Sequence, residues 1–238
     1  MSDWSPPSKY QQFAPQFPAA PFAPSAFTGR VRSTRGLGTA LIWLFAANAS
    51  LLVAVVANDV YTRHLLQQGL ASGFRSTALA RLQTTDSVRE TLFALSFGCS
   101  LAALIVLPIW SYRVVRNAQV RGVPDVNPGL ALGGWFIPFA NVVVPFVQIR
   151  RAARPFIGAT ADITVWQVLG AVGILLQRSA EDGVEPASTP RELLDILSHE
   201  ITRLFVGAIV MAIALVYAVR AIRSIDRSVS VVLSTTPG

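Results

Sequence analysis

Hydrophobic positions in this chain come in long blocks separated by shorter polar stretches. Four blocks run from about Leu37 to Ala57, Thr91 to Tyr112, Ile163 to Gln177 and Ile201 to Val219. A helix of about 20 apolar residues crosses the ~30 Å hydrocarbon core of a bilayer. The block from Ile163 is the shortest, although Asp162 and Arg178 bracket it. The pattern predicts an all-α integral membrane protein with four transmembrane helices. Trp110 and Tyr112 close the second block, where aromatic residues favour the membrane interface.

A fifth apolar stretch does not read as an ordinary helix. Residues 133–145 run Gly133-Gly134-Trp135-Phe136-Ile137-Pro138-Phe139-Ala140-Asn141-Val142-Val143-Val144-Pro145. Proline removes a backbone donor and frees carbonyls one turn earlier. Lipid cannot satisfy such groups, so neighbouring protein or a water-filled cavity is expected to do so. We therefore predict a proline-broken third element, either re-entrant or a kinked crossing. At helical spacing Pro138, Asn141 and Pro145 share a face. The Asn141 amide is then placed to donate to the freed carbonyls and pin the kink. A small polar pocket at the break, bounded by Trp135, Pro138, Asn141 and Pro145, is the sharper alternative, since broken helices build transporter sites.

The flanking polar stretches set the domain plan. Residues 1–35 form a tail whose first part is rich in Pro, Ala, Phe, Gln and Ser, a composition that favours extended or disordered chain. Residues 36–230 form the helical membrane domain and residues 231–238 a short C-terminal tail. Residues 60–90 read as a polar loop with helical stretches, ending in a capping box of Ser87 and Glu90. Thr189-Pro190-Arg191-Glu192 joins an N-cap threonine, a proline at the first helical position and a glutamate at the third, so a helix should begin there.

Composition supports this picture: 52% of residues are hydrophobic and only 14% charged, with a net charge of +7. A soluble domain is nearer a quarter charged. Lys9 is the only lysine, and the arginines lie beside the apolar blocks. Anionic lipid headgroups are thus the simplest partner, and Arg113, Arg116, Arg121, Arg150, Arg151, Arg154, Arg220 and Arg223 are the candidate headgroup residues. The proline-rich tail is the candidate site for protein partners. No nucleic-acid recognition motif is present.

The arginines also bear on orientation, because positive residues favour the cytoplasmic side of short loops. If the Trp135 element turns back, the inner side carries nearly twice as many basic residues as the outer side. If it crosses, the two sides are equal. The count favours a re-entrant element, with both termini cytoplasmic in a bacterial plasma membrane.

Candidate chemistry is sparse. Cys99 is the only cysteine and sits in an apolar block, which excludes a disulfide framework or a thiolate zinc site. His64 and His199 lack a neighbouring ligand set, and no phosphate-binding glycine loop or nucleophile elbow is present. No Asp, Glu, Lys or Arg falls in the middle of a predicted span, which argues against an ion-coupled carrier. No metal, cofactor or catalytic residue is assigned.

Arg113-x-x-Arg116-Asn117, Pro128-Gly129-x-Ala131, Gly134-Trp135-Phe136-x-Pro138-x-x-Asn141-x-x-x-Pro145 and Arg150 together resemble a bacterial multi-pass membrane domain family of unknown function. Its core is Trp-Phe-x-Pro-x-x-Asn-x-x-x-Pro. The resemblance covers about residues 37–230 and implies a tryptophan-bearing span after the core, matched by Trp166. Members often have paired tryptophans where this chain has Trp166-Gln167. The family carries no established activity. The expected role is a noncatalytic membrane scaffold or interaction module; the alternative is a transporter, channel or small-molecule binder using the break around Asn141.

Overall fold

The computed structural model describes residues 30–73, 76–138, 140–155, 159–181 and 189–235. The proline-rich tail expected over residues 1–35 lies outside the described residues as far as residue 29. The described chain is helical. Its elements are α1 (Arg35–Ser72), α2 (Ser76–Val120), α3 (Pro128–Gly133), α4 (Val144–Ala153), α5 (Ala159–Glu181) and α6 (Pro190–Thr235). Four of these, α1, α2, α5 and α6, are long and apolar enough to cross a membrane. This is what the block pattern predicts, and it is consistent with a membrane protein.

The helices do not bury their apolar residues as a water-soluble bundle would. In the most apolar window of α2 only 6% of the residues are buried. Trp43, Phe97, Ile105, Leu175 and Phe205 are all more than half exposed. Contiguous apolar surface of this kind marks a face that meets lipid or another protein.

Three contacts gather one end of the long helices. The Thr34 hydroxyl, just before α1, donates to Asp226 Oδ1 near the end of α6. Asn117, near the end of α2, holds the Arg32 backbone at both its N–H (2.9 Å) and its C=O (2.7 Å). Arg220 of α6 pairs with Asp162, in the first turn of α5, at 3.4 Å. At the opposite end Arg89 of α2 pairs with Asp59 of α1 at 3.4 Å and with Glu200 of α6. Thus α1 and α5 run one way, and α2 and α6 the other. The main core lies at the first end, where Leu41, Trp110, Val115, Ile149, Ile163 and Ile222 are buried together. Trp110 is fully buried there, not interfacial as its position in the block suggested, because α3 and α4 cover the end of α2.

Two boundaries differ from the sequence reading. The described part of residues 60–90 is almost wholly helical: α1 continues to Ser72, α2 runs on from Ser76, and Gly73 after α1 has a φ of 77°. At 1.5 Å per residue the 38-residue α1 is about 57 Å long, well beyond the ~30 Å of a bilayer core. Asn58 bonds the Thr85 carbonyl at 3.2 Å, so the polar part of the helix pair is tied across. At the C-terminus α6 runs on to Thr235, into the stretch read as a tail; Val231, Val232 and Leu233 are compatible with continued helix.

Candidate functional site

The segment between α2 and α5 carries the motif that the sequence singled out. Asn127 caps α3, its side chain accepting from the Leu130 N–H at 3.2 Å, with Pro128 at the first helical position. A 3-10 turn follows at Gly134–Phe136 and another at Ala140–Val142 before α4 begins. Ile137 is extended, with φ −97° and ψ 120°. The proline after it explains this, since the residue before a proline is pushed out of the α region. α3 ends at Gly133 and the 3-10 turn after it at Phe136, so Pro138, Asn141 and Pro145 do not share one helical face.

The segment also satisfies its own backbone. The Ala140 N–H donates to Pro138 O at 2.7 Å, the Asn141 N–H to Ile137 O at 3.0 Å and the Val143 N–H to Ala140 O at 3.0 Å. Tight local turns thus satisfy these three donors within the segment itself. The Asn141 side chain makes no hydrogen bond to a described residue, so the kink-pinning role expected of it is not seen.

Gly134 meets Pro145 across the segment, and Trp135 meets Phe146, the residue after that proline. A Cβ on Gly134 would lie 3.1 Å from Pro145 Cδ, so the glycine lets the two limbs of the segment touch. Trp135 Nε1 donates to Ser111 Oγ of α2 at 3.2 Å, and its ring meets Phe146 edge-on at 5.4 Å. Phe146 meets Trp166 of α5 at 5.3 Å, and Trp166 meets Phe45 of α1 at 5.7 Å. This relay of aromatic rings joins the segment to two long helices. Edge-to-face pairs of this kind contribute about 0.5–1.5 kcal/mol each beyond area burial.

The two feet of the segment also meet. Gln148 Oε1 accepts from the Asn127 N–H at 2.8 Å, and Arg151 donates to the Asp125 carbonyl at 3.0 Å. Between them the tip is apolar and open, with Phe136, Ile137 and Val143 more than half exposed.

A family model described as a domain of unknown function, DUF4328, matches residues 75–227. The chain belongs to this family. Neither a curated protein nor a solved structure matches the chain. The DUF4328 region holds the whole interrupted segment but begins after α1. In the sequence alone the resemblance reached back to about residue 37, so α1 completes the bundle from outside the matched region.

The candidate headgroup arginines all fall at the end where this DUF4328 segment sits, but several are engaged within the protein. Arg113 donates to the Ser33 carbonyl at 3.5 Å, Arg116 to Gln119 at 2.5 Å and Arg150 to Thr164 at 3.4 Å. Arg151 holds Asp125 as described, Arg220 is paired with Asp162, and Arg121 is half-buried. Arg154 and Arg223 are exposed. Arg35 and Arg227, which were not among the candidate headgroup residues, share a groove with Arg223. Their helical spacing was legible, but the pairing of α1 with the far end of α6 was not. Sequence reasoning missed the Asp59–Arg89–Glu200 network at the other end, because these residues are far apart in the chain.

Proposed function

We propose that this chain is a noncatalytic scaffold or interaction module embedded in a bacterial plasma membrane. Four helices cross the bilayer, both termini are cytoplasmic, and the interrupted segment enters and leaves from the arginine-rich side. The observation that carries this reading is the meeting of the segment's two feet, Asn127 with Gln148 and Asp125 with Arg151, at the end that also holds Arg220 and Arg223. A segment that crossed would place its feet a bilayer apart. The apolar tip at Phe136, Ile137 and Val143 then dips toward acyl chains, with the Ala140, Asn141 and Val143 N–H groups held in local turns. The motif's side chains are spent on packing: Trp135 on Ser111 and Phe146, Pro145 on Gly134. Anionic lipids on the arginines and proteins on the N-terminal tail are the partners of this module.

One observation favours the second reading, a transporter, channel or small-molecule binder. The half-buried Asn141 amide has no hydrogen-bond partner among the described residues and is available to a solute. Asn141→Leu separates the two. As a scaffold the variant keeps its membrane abundance and its captured partners. If abundance is kept while solute flux through proteoliposomes is lost, the assignment moves to the second reading.

A further inference from the structure

We propose that the groove between α1 and α6 at the arginine-rich end is a binding site for one anionic phospholipid. Its headgroup lies on Arg35, Arg223 and Arg227, and an acyl chain runs down past Trp43. This rests on the reading above that these helices stand in a bilayer. The groove has a volume of about 550 Å³. Arg35, Thr39 and Trp43 line it from α1 at intervals of four residues, so they share one helical face. Arg223 and Arg227, also four apart, face them from α6.

The order of chemistry along the groove selects the ligand. Arg35 stands at the helix end, Thr39 one turn in, Trp43 two turns in and Ala46 three. Eight residues of helix separate Arg35 from Trp43, about 12 Å. The wall thus passes from cationic to hydroxylic to aromatic to apolar over the depth at which a phospholipid passes from phosphate to glycerol to acyl chain. Trp43 is 71% exposed, with its ring outside the bundle where an interfacial tryptophan meets the glycerol region.

The charge in the groove is not cancelled from within. Among the described residues none of the three guanidinium groups forms a salt bridge. Asp226 also lines the groove, but it accepts the Thr34 hydroxyl and offsets only one of the three positive charges. An excess of guanidinium beside hydroxyls suits phosphate oxygens, which arginine binds through paired N–H groups. A free phosphate would use only the outer half of the groove. The aromatic and apolar half, continuous with the exposed apolar face of α1, is what assigns the site to a lipid.

The test is native mass spectrometry of the full-length chain released from nanodiscs that contain phosphatidylglycerol and phosphatidylcholine. The wild type should retain phosphatidylglycerol in preference. Arg223→Gln with Arg227→Gln should weaken that retention by about fivefold per residue. The control pair Arg63→Gln with Arg81→Gln removes the same charge from the other end and should leave retention unchanged. Trp43→Ala should weaken lipid retention while the charge is intact. Melting temperatures within error of the wild type establish that each variant is folded. Equal losses in both arginine pairs, or none in either, overturn the site while leaving a diffuse affinity for anionic lipid. Equal retention of the two lipids by the wild type overturns lipid recognition as a whole. Displacement of the lipid by equimolar inorganic phosphate would show that the apolar half contributes nothing, and the lipid assignment would fall.

Discussion

Arg89 is the residue on which most depends outside the motif. It reaches from α2 to Asp59 of α1 and Glu200 of α6, and its guanidinium lies 5.5 Å from the Phe93 ring centroid. Asp59 is 1% exposed, and its Oδ2 has no hydrogen-bond partner among the described residues. Removing the arginine strands a buried carboxylate, which is far more costly than losing a surface pair. Because Arg89 itself is a third exposed, Arg89→Gln should destabilise by about 2 kcal/mol rather than by the 3–5 kcal/mol of a fully enclosed pair. Thermal unfolding in detergent measures this. Adding Asp59→Asn should recover most of the loss, because the stranded charge is then gone; if the two changes simply add, the pairing is not what stabilises this end.

At the scale of elements, α1 packs tightly on α6 at Gly38. A Cβ there would stand 2.8 Å from Ile222 Cγ2 and would also press on Asp226. Gly38→Leu should therefore part the helices and cost about 1–3 kcal/mol by overpacking, read as a lowered melting temperature. An unchanged melting temperature would mean that the two helices do not pack at this level. What was legible in the sequence divides along the same line. The four apolar blocks announced α1, α2, α5 and α6, since length and hydropathy are local properties. The continuity of α1 and α2 through residues 60–90 was hidden, because that stretch is polar and its support comes from across the bundle, from Asn58 on Thr85 and Arg89 on Asp59. The Asn117 grip on Arg32 spans 85 positions, and no local pattern encodes it. For the same reason Arg223 could be picked out but not its companion Arg35.

For the molecule as a whole, the proposed arrangement has a definite sidedness. Single cysteines placed by Arg113→Cys and Arg154→Cys, in a Cys99→Ser background, should react with a membrane-impermeant reagent only when the cytoplasmic face is open. Arg63→Cys should react from the opposite face in intact cells. Labelling of Arg113→Cys and Arg154→Cys from different faces would mean that the interrupted segment crosses. The same arrangement leaves α1, α2 and α6 much longer than a bilayer is thick. The Asp59–Arg89–Glu200 network then ties together a stalk that stands clear of the lipid on the outer side.

Because Asn127 is bonded to Gln148 and Asp125 to Arg151, any excursion of the chain between those feet cancels by the time α4 is reached. In the proposed arrangement the stretch from Phe136 to Val143 is therefore parity-neutral: lengthening, trimming or exchanging it for a reporter should not invert a single helix downstream. A chain threaded as proposed could vary that surface while the order of its crossings stays fixed.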